Sequence, residues 1–176
     1  MPKGFTLIEL LIVIAILAIL ATVIVLVLNP SQLLTESRDS QRVGDLTAVR
    51  DAVVFYMTRA TTTSPFAATG PFYTVGTSGS LGAGSTRNIY ALDGTGWVAV
   101  NFNTTGEPAP ITALPRDPQN NATYYYGFEG NNTSKLFELV ANLESTRFSQ
   151  GGAEDKESTD GGGDVAIFEV GTTLSF

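Results

Sequence analysis

Hydrophobic and polar positions divide this chain into three stretches. From Leu10 to Leu28 every residue is apolar or alanine except Thr22. Beyond Asn29-Pro30, "SQLLTESRDSQRVGDLTAVRDAVVFYMTRA" places apolar residues at 33, 34, 43, 46, 49, 53, 56 and 57. That spacing predicts an amphipathic helix whose stripe weakens near 37–41. Arg38, Asp39, Arg42, Asp45, Arg50 and Asp51 alternate in sign on its other faces, which suits a solvated or partner-facing surface. Pro30 removes a donor to the Leu26 carbonyl and disfavours helix at Asn29, so Asn29 and Pro30 mark a kink, or a stop and restart; a plain helix boundary with Pro in the first turn fits as well.

The third stretch opens with a loop, "TTTSPFAATGP". Six strand candidates follow at 72–75, 88–92, 97–102, 123–128, 135–143 and 165–170, separated by Gly- and Asn-rich turns, the pattern of an antiparallel sheet. On pattern alone, 135–143 reads as either helix or strand. Helix first and strands later implies an α+β fold.

The apolar run matches the hydrocarbon thickness of a bilayer, about 20 residues. A buried core helix is a poor reading, since the run is apolar all round and opens the chain. A secretory signal has a shorter apolar region and a small-residue cleavage site after it, which this run lacks. A membrane-spanning anchor fits best. Lys3 and the amino terminus on one side, and Arg38 and Arg42 on the other, leave its orientation close to a tie.

Charge and composition narrow the chemistry. The net charge is −7, and from Thr61 to Phe176 there are 12 acids against 5 bases. Phosphate binding needs clustered Lys and Arg, so nucleic acid is not expected as a partner. The chain has no Cys and no His. Disulfide staples are therefore excluded, and zinc sites and histidine-based catalysis lose their usual residues. No motif sets a nucleophile beside a base, so an enzyme is not expected.

Glu9 stands at the mouth of the apolar run. An ionisable residue within a membrane segment is a functional candidate; equally, an acid at a helix start is favoured by the helix dipole. Here "KGFTLIE", followed by an unbroken aliphatic helix, resembles the class III signal of type IV pilins and type II secretion pseudopilins. The resemblance implies cleavage by prepilin peptidase between Gly4 and Phe5 on the cytoplasmic side, with MPKG as leader, and N-methylation of Phe5. Gly4 suits the cut because the smallest side chain leaves the scissile bond accessible. It further implies that Glu9 meets the positive amine of Phe5 on a neighbouring subunit during assembly.

The implied architecture is pilin-like: a leader at 1–4, a transmembrane and filament-core helix at 5–29, an amphipathic helix at 30–60 and a β-rich head at 61–176. Phe5 to Arg59 would form one interrupted helix of roughly 80 Å, of which only about 30 Å fits a bilayer. The implied partners are prepilin peptidase, membrane lipid before assembly, the assembly machinery, and further copies of the chain in a helical filament. The implied location is the cytoplasmic membrane, single-pass, and then an extracellular filament. A type II secretion pseudopilus, or an anchored extracytoplasmic binding domain that never polymerises, are the alternatives.

"LPRDPQNNATYYYGF" followed by "FELVANLES" resembles a segment of the major pseudopilins, which favours strand over helix at 135–143. Many type IV pilins close a C-terminal loop with a disulfide, which this chain cannot do. In its place stand Glu154, Asp155, Glu157, Asp160 and Asp164, five acids within eleven residues, around Gly161 to Gly163. Calcium takes six to eight oxygens on a flexible loop, and major pseudopilins bind it in a comparable loop, so Glu154, Asp155, Asp160 and Asp164 are calcium candidates; an acid-rich glycine loop is otherwise simply solvated. "SGSLGAGST" lacks the lysine of a phosphate loop. Asn103, Asn121, Asn131 and Asn132 sit in glycosylation sequons expected by chance in a Thr/Asn-rich domain.

Overall fold

Thr6 starts the first helix by leaving its own backbone extended and turning its hydroxyl toward the Glu9 amide. In this computed structural model, which describes residues 4–60, 63–104, 106 and 108–176, α1 covers Leu7–Leu28. It is long and apolar enough to cross a membrane, and all its described side chains are exposed. Asn29 ends it in the left-handed conformation, with φ at 39°. Pro30 then opens α2, Pro30–Arg59, in the first-turn position where its missing N–H costs nothing. The Asn29 carbonyl accepts the Gln32 amide at 3.0 Å, and its side-chain oxygen accepts the Ser31 hydroxyl at 2.8 Å.

The chain divides into two compact units, one ending at Thr35 and the other covering Glu36–Phe176. In the second unit, Leu46, Val49, Ala52, Val53 and Tyr56 of α2 are buried. They pack into a single apolar cluster with one face of a sheet. Leu33 and Leu34, expected on the same stripe, are instead exposed at 53% and 61%.

That sheet has five strands in the order β4-β1-β5-β6-β7. They are β1 Phe72–Tyr73, β4 Ser85–Thr86, β5 Tyr126–Asn131, β6 Leu136–Ala141 and β7 Phe168–Gly171. Pairing is antiparallel except between β1 and β4. A separate hairpin joins β2, Ser78–Gly79, to β3, Gly82–Ala83. Side chains alternate across the pleat. Tyr126, Phe128, Phe137, Leu139, Ala141, Phe168 and Val170 therefore join the cluster beneath α2. Tyr73, Glu129, Glu138, Val140 and Glu169 stand on the outer face. The α+β fold and a long apolar N-terminal helix with a mostly antiparallel sheet are thus as expected from the sequence.

The strand assignments need correction. Residues 88–92 form no strand, and 97–102 make only isolated bridges, Phe66 with Val100 and Asp93 with Asn101, before a short 3-10 turn at Phe102–Thr104. Trp97, Val98, Ala99 and Val100 are all fully buried, so the run is core without alternation. Its amides go to separate acceptors: Trp97 N–H to the Ile89 carbonyl at 3.0 Å, Phe102 N–H to that of Leu92 at 2.9 Å. β5 starts three residues later than 123 because Asn121 accepts the Thr123 and Tyr124 amides in a side-chain turn. The glycine-rich segment 78–86, in turn, supplies three short strands.

Candidate functional site

Gly4 and Phe5 precede α1, both exposed. A Cβ added at Gly4 would meet nothing within 4 Å. The fold therefore makes no demand for glycine at this position, and the need for a small residue must lie elsewhere.

Glu9 occupies the third position of α1 and forms a reciprocal capping box with Thr6. Its Oε2 accepts the Thr6 amide and the Thr6 hydroxyl, each at 2.8 Å, while its own amide donates to Thr6 Oγ1 at 3.3 Å. The sequence signature for this is Thr-x-x-Glu before an apolar run. The box orders the Glu9 side chain at the helix mouth, and among the described residues Oε1 has no hydrogen-bond partner. One oxygen of the carboxylate thus caps the helix, and the other is open to a donor from another molecule.

Of the four calcium candidates, each carboxylate is already occupied by the loop that carries it. Glu154 pairs with Arg147 at 2.5 Å. Asp155 accepts the Gly151 and Ser158 amides at 2.7 and 2.9 Å. Asp160 accepts the Gly162 and Glu169 amides at 2.8 and 2.6 Å. Asp164 accepts the Ala166 amide at 3.0 Å. Glu157 turns inward and bonds the Leu143 and Gln150 amides. Among the described residues no group of three or more acids is placed to share a metal ion. Calcium takes six to eight converging oxygens, and as placed here these carboxylates turn to backbone amides and to Arg147 rather than to a common point. We expect the purified protein to melt at the same temperature in calcium and in chelator; a chelator-dependent drop would show a donor set that this arrangement lacks.

The strongest polar cluster lies elsewhere, where charge alternation pointed to a solvated face. Asp39 and Arg42 of α2 are fully buried. The Arg42 guanidinium bonds Asp117 through Nε at 2.6 Å and Nη2 at 3.1 Å, Asp39 at 2.8 Å, and Glu144 at 2.5 Å. Its carbon sits 4.9 Å from the Tyr124 ring centroid. Asp39 also accepts the Glu144 and Ser145 amides, and Asp117 accepts those of Gln119 and Asn120. Arg38 grips Glu144 from the rim at 2.6 Å. Burial alone would lower the Arg42 pKa, but hydrogen bonds and charge from Asp117, with Glu144 and Asp39, raise it above its ordinary value. Glu144 is lowered despite its burial, because Arg38 and Arg42 both donate to it. Arg42 and Asp39 thereby tie α2 to the loop at Asp117 and to the segment after β6, across 75 and 105 residues of chain. In a chain without cysteine, this is the cross-link.

Residues 2–25 match the family model described as the prokaryotic N-terminal methylation motif, the class III signal that is the hallmark of type IV pilin-like proteins. The match supports a pilin-like or pseudopilin precursor processed at its N-terminus. With the apolar helix it points to membrane anchoring. No curated protein matches the chain, and no solved structure does.

Proposed function

We propose that the chain is a structural subunit of an extracytoplasmic type IV pilus-like filament. Prepilin peptidase cuts between Gly4 and Phe5, Phe5 is N-methylated, and α1 anchors the subunit in the membrane until it passes into the filament core. The carrying observation is the methylation motif over residues 2–25, set directly before an apolar helix whose sides are all exposed. Such a helix needs lipid or other copies of itself to cover it. A pseudopilus subunit of type II secretion would carry the same motif, so the motif speaks for filament assembly rather than for one machine.

Gly4 gives a direct test of the processing step. Its side of the chain is open, so Gly4→Leu should leave the fold and the membrane insertion unchanged. A bulky side chain beside the scissile bond should leave the precursor uncut, read as retention of MPKG on a processing blot. Wild-type processing of Gly4→Leu would remove the proposed cut. The assembly step is tested by shearing cells and probing the filament fraction. The subunit should appear there without its leader, whereas a chain confined to membranes would be an anchored domain that does not polymerise.

A further inference from the structure

Two glutamates on the outer face of the sheet have no counter-charge. Glu138 of β6 is fully buried. Its Oε2 accepts the Phe176 amide at 3.2 Å, and its Oε1 is buried without any partner. Glu169 of β7, also buried, lies on the same face, since Glu138 pairs with Gly171 and Glu169 with Val140. Its Oε2 accepts the Asp164 amide at 3.2 Å. Gly162 passes so close that an added Cβ would fall 1.6 Å from that oxygen. Neither glutamate makes an ion pair among the described residues.

The groups around them are acidic. Glu129 of β5 stands opposite Glu138 in the ladder. From the covering loop, Asp160 accepts the Glu169 amide and Asp164 donates its own to Glu169. From α2, Arg50 lines a cavity of about 300 Å³ with Asp160 and Glu169, but its guanidinium bonds Asp51 at 2.7 Å. Glu138 and Glu169 lie diagonally across the β6–β7 ladder on one face, where two desolvated carboxylates repel each other when both are charged. The unpartnered Oε1 is the atom that a shared proton would satisfy.

We propose that Glu138 and Glu169 hold one proton between them, and that this proton is what lets both carboxyls lie buried on the outer face of the sheet. The acid O–H of one carboxyl donates to an oxygen of the other, and Glu138 Oε2 stays free to receive the Phe176 amide. Loss of the proton leaves two buried anions on one face of the sheet, and their desolvation and repulsion destabilise the fold. Burial first, then the hydrogen bond to Glu169 and the charges of Glu169 and Glu129, push Glu138 from 4.5 up to about 8. Between those values the folded chain binds more protons than the unfolded one, so stability falls as pH rises through that window. A divalent cation would neutralise the pair too, but among the described residues no group of three acids is arranged to hold one.

The test uses the full chain in a non-ionic detergent, with Glu138→Gln, which keeps a donor and an acceptor but cannot ionise. The wild-type Tm should fall from about pH 5 to about pH 9. Glu138→Gln should lack that fall and be the more stable protein at the alkaline end. Carboxyl-carbon NMR of the wild type should show one glutamate still protonated at neutral pH, a readout that stands even if the variant does not fold. Parallel Tm curves for the two proteins, or ionisation of every glutamate below about pH 6, would overturn the proposal. So would a calcium-induced rise in Tm at alkaline pH that Glu138→Gln abolishes, which would make the pair a cation site.

Discussion

Glu9→Ala should be cleaved and inserted normally and yield almost no filament. Cleavage after Gly4 exposes a positive amine on Phe5, about one helical turn from Glu9. Within one helix that amine points away along the axis, whereas in the proposed filament a neighbour shifted along the axis would bring its amine to the carboxylate directly. At an effective dielectric of about 20, two charges about 4 Å apart attract by about 4 kcal/mol before desolvation. Removing one partner of a buried pair costs about 3–5 kcal/mol. Glu9 also caps α1 through Thr6, and losing such a cap costs about 1 kcal/mol. Glu9→Gln separates the two roles, because glutamine retains the capping box and drops the charge. Filament yield should therefore collapse in Glu9→Gln as it does in Glu9→Ala. Glu9→Asp, with the charge on a shorter arm, should be intermediate. Full yield from correctly processed Glu9→Gln would reduce Glu9 to a helix cap.

Arg42→Met should unfold the second unit at markedly lower denaturant. The apolar replacement fills much of the volume but leaves Asp39, Asp117 and Glu144 facing one another in the interior. Their remaining donors are backbone amides, Gln119 and Arg38, none of which replaces the central charge. Breaking a buried pair on one side costs about 3–5 kcal/mol, and here three carboxylates lose the same partner. Arg42→Lys should recover only part of this, because an ammonium cannot make the planar, two-pronged contact with Asp117. Urea unfolding followed by Trp97 fluorescence measures both. A midpoint unchanged in Arg42→Met would mean that the cross-link contributes nothing to the fold.

The same residues show what could be read from sequence. The periodic stripe of α2 was legible at Leu46, Val49, Val53 and Tyr56, because apolar residues announce burial. It continues backwards at the same spacing through Arg42 and Asp39, where it looked weak because charged residues normally signal solvent. What buries them is a set of partners 75 to 106 residues away, which no local window contains. β5 and β7 were visible as short apolar runs between turn residues, whereas 135–143 read as helix or strand on pattern alone and only the resemblance to pseudopilins favoured the strand β6. Residues 97–100 misled because a fully buried run has the composition of a strand without a neighbour to pair with. The acid-rich loop read from sequence either as a calcium candidate, by resemblance to major pseudopilins, or as a solvated loop. Its carboxylates satisfy backbone amides that irregular chain leaves open, a demand set by the loop's path. At the N-terminus almost everything was local: Thr6, Glu9 and the apolar run after them lie within one contiguous segment.

The intact mass of the subunit recovered from cells tests the central claim most directly. Processing and assembly through α1 predict a chain that begins at Phe5, lacks MPKG and carries one methyl group on the Phe5 amine, in membranes and in sheared filaments alike. A chain of unaltered mass beginning at Met1 in both fractions would contradict it.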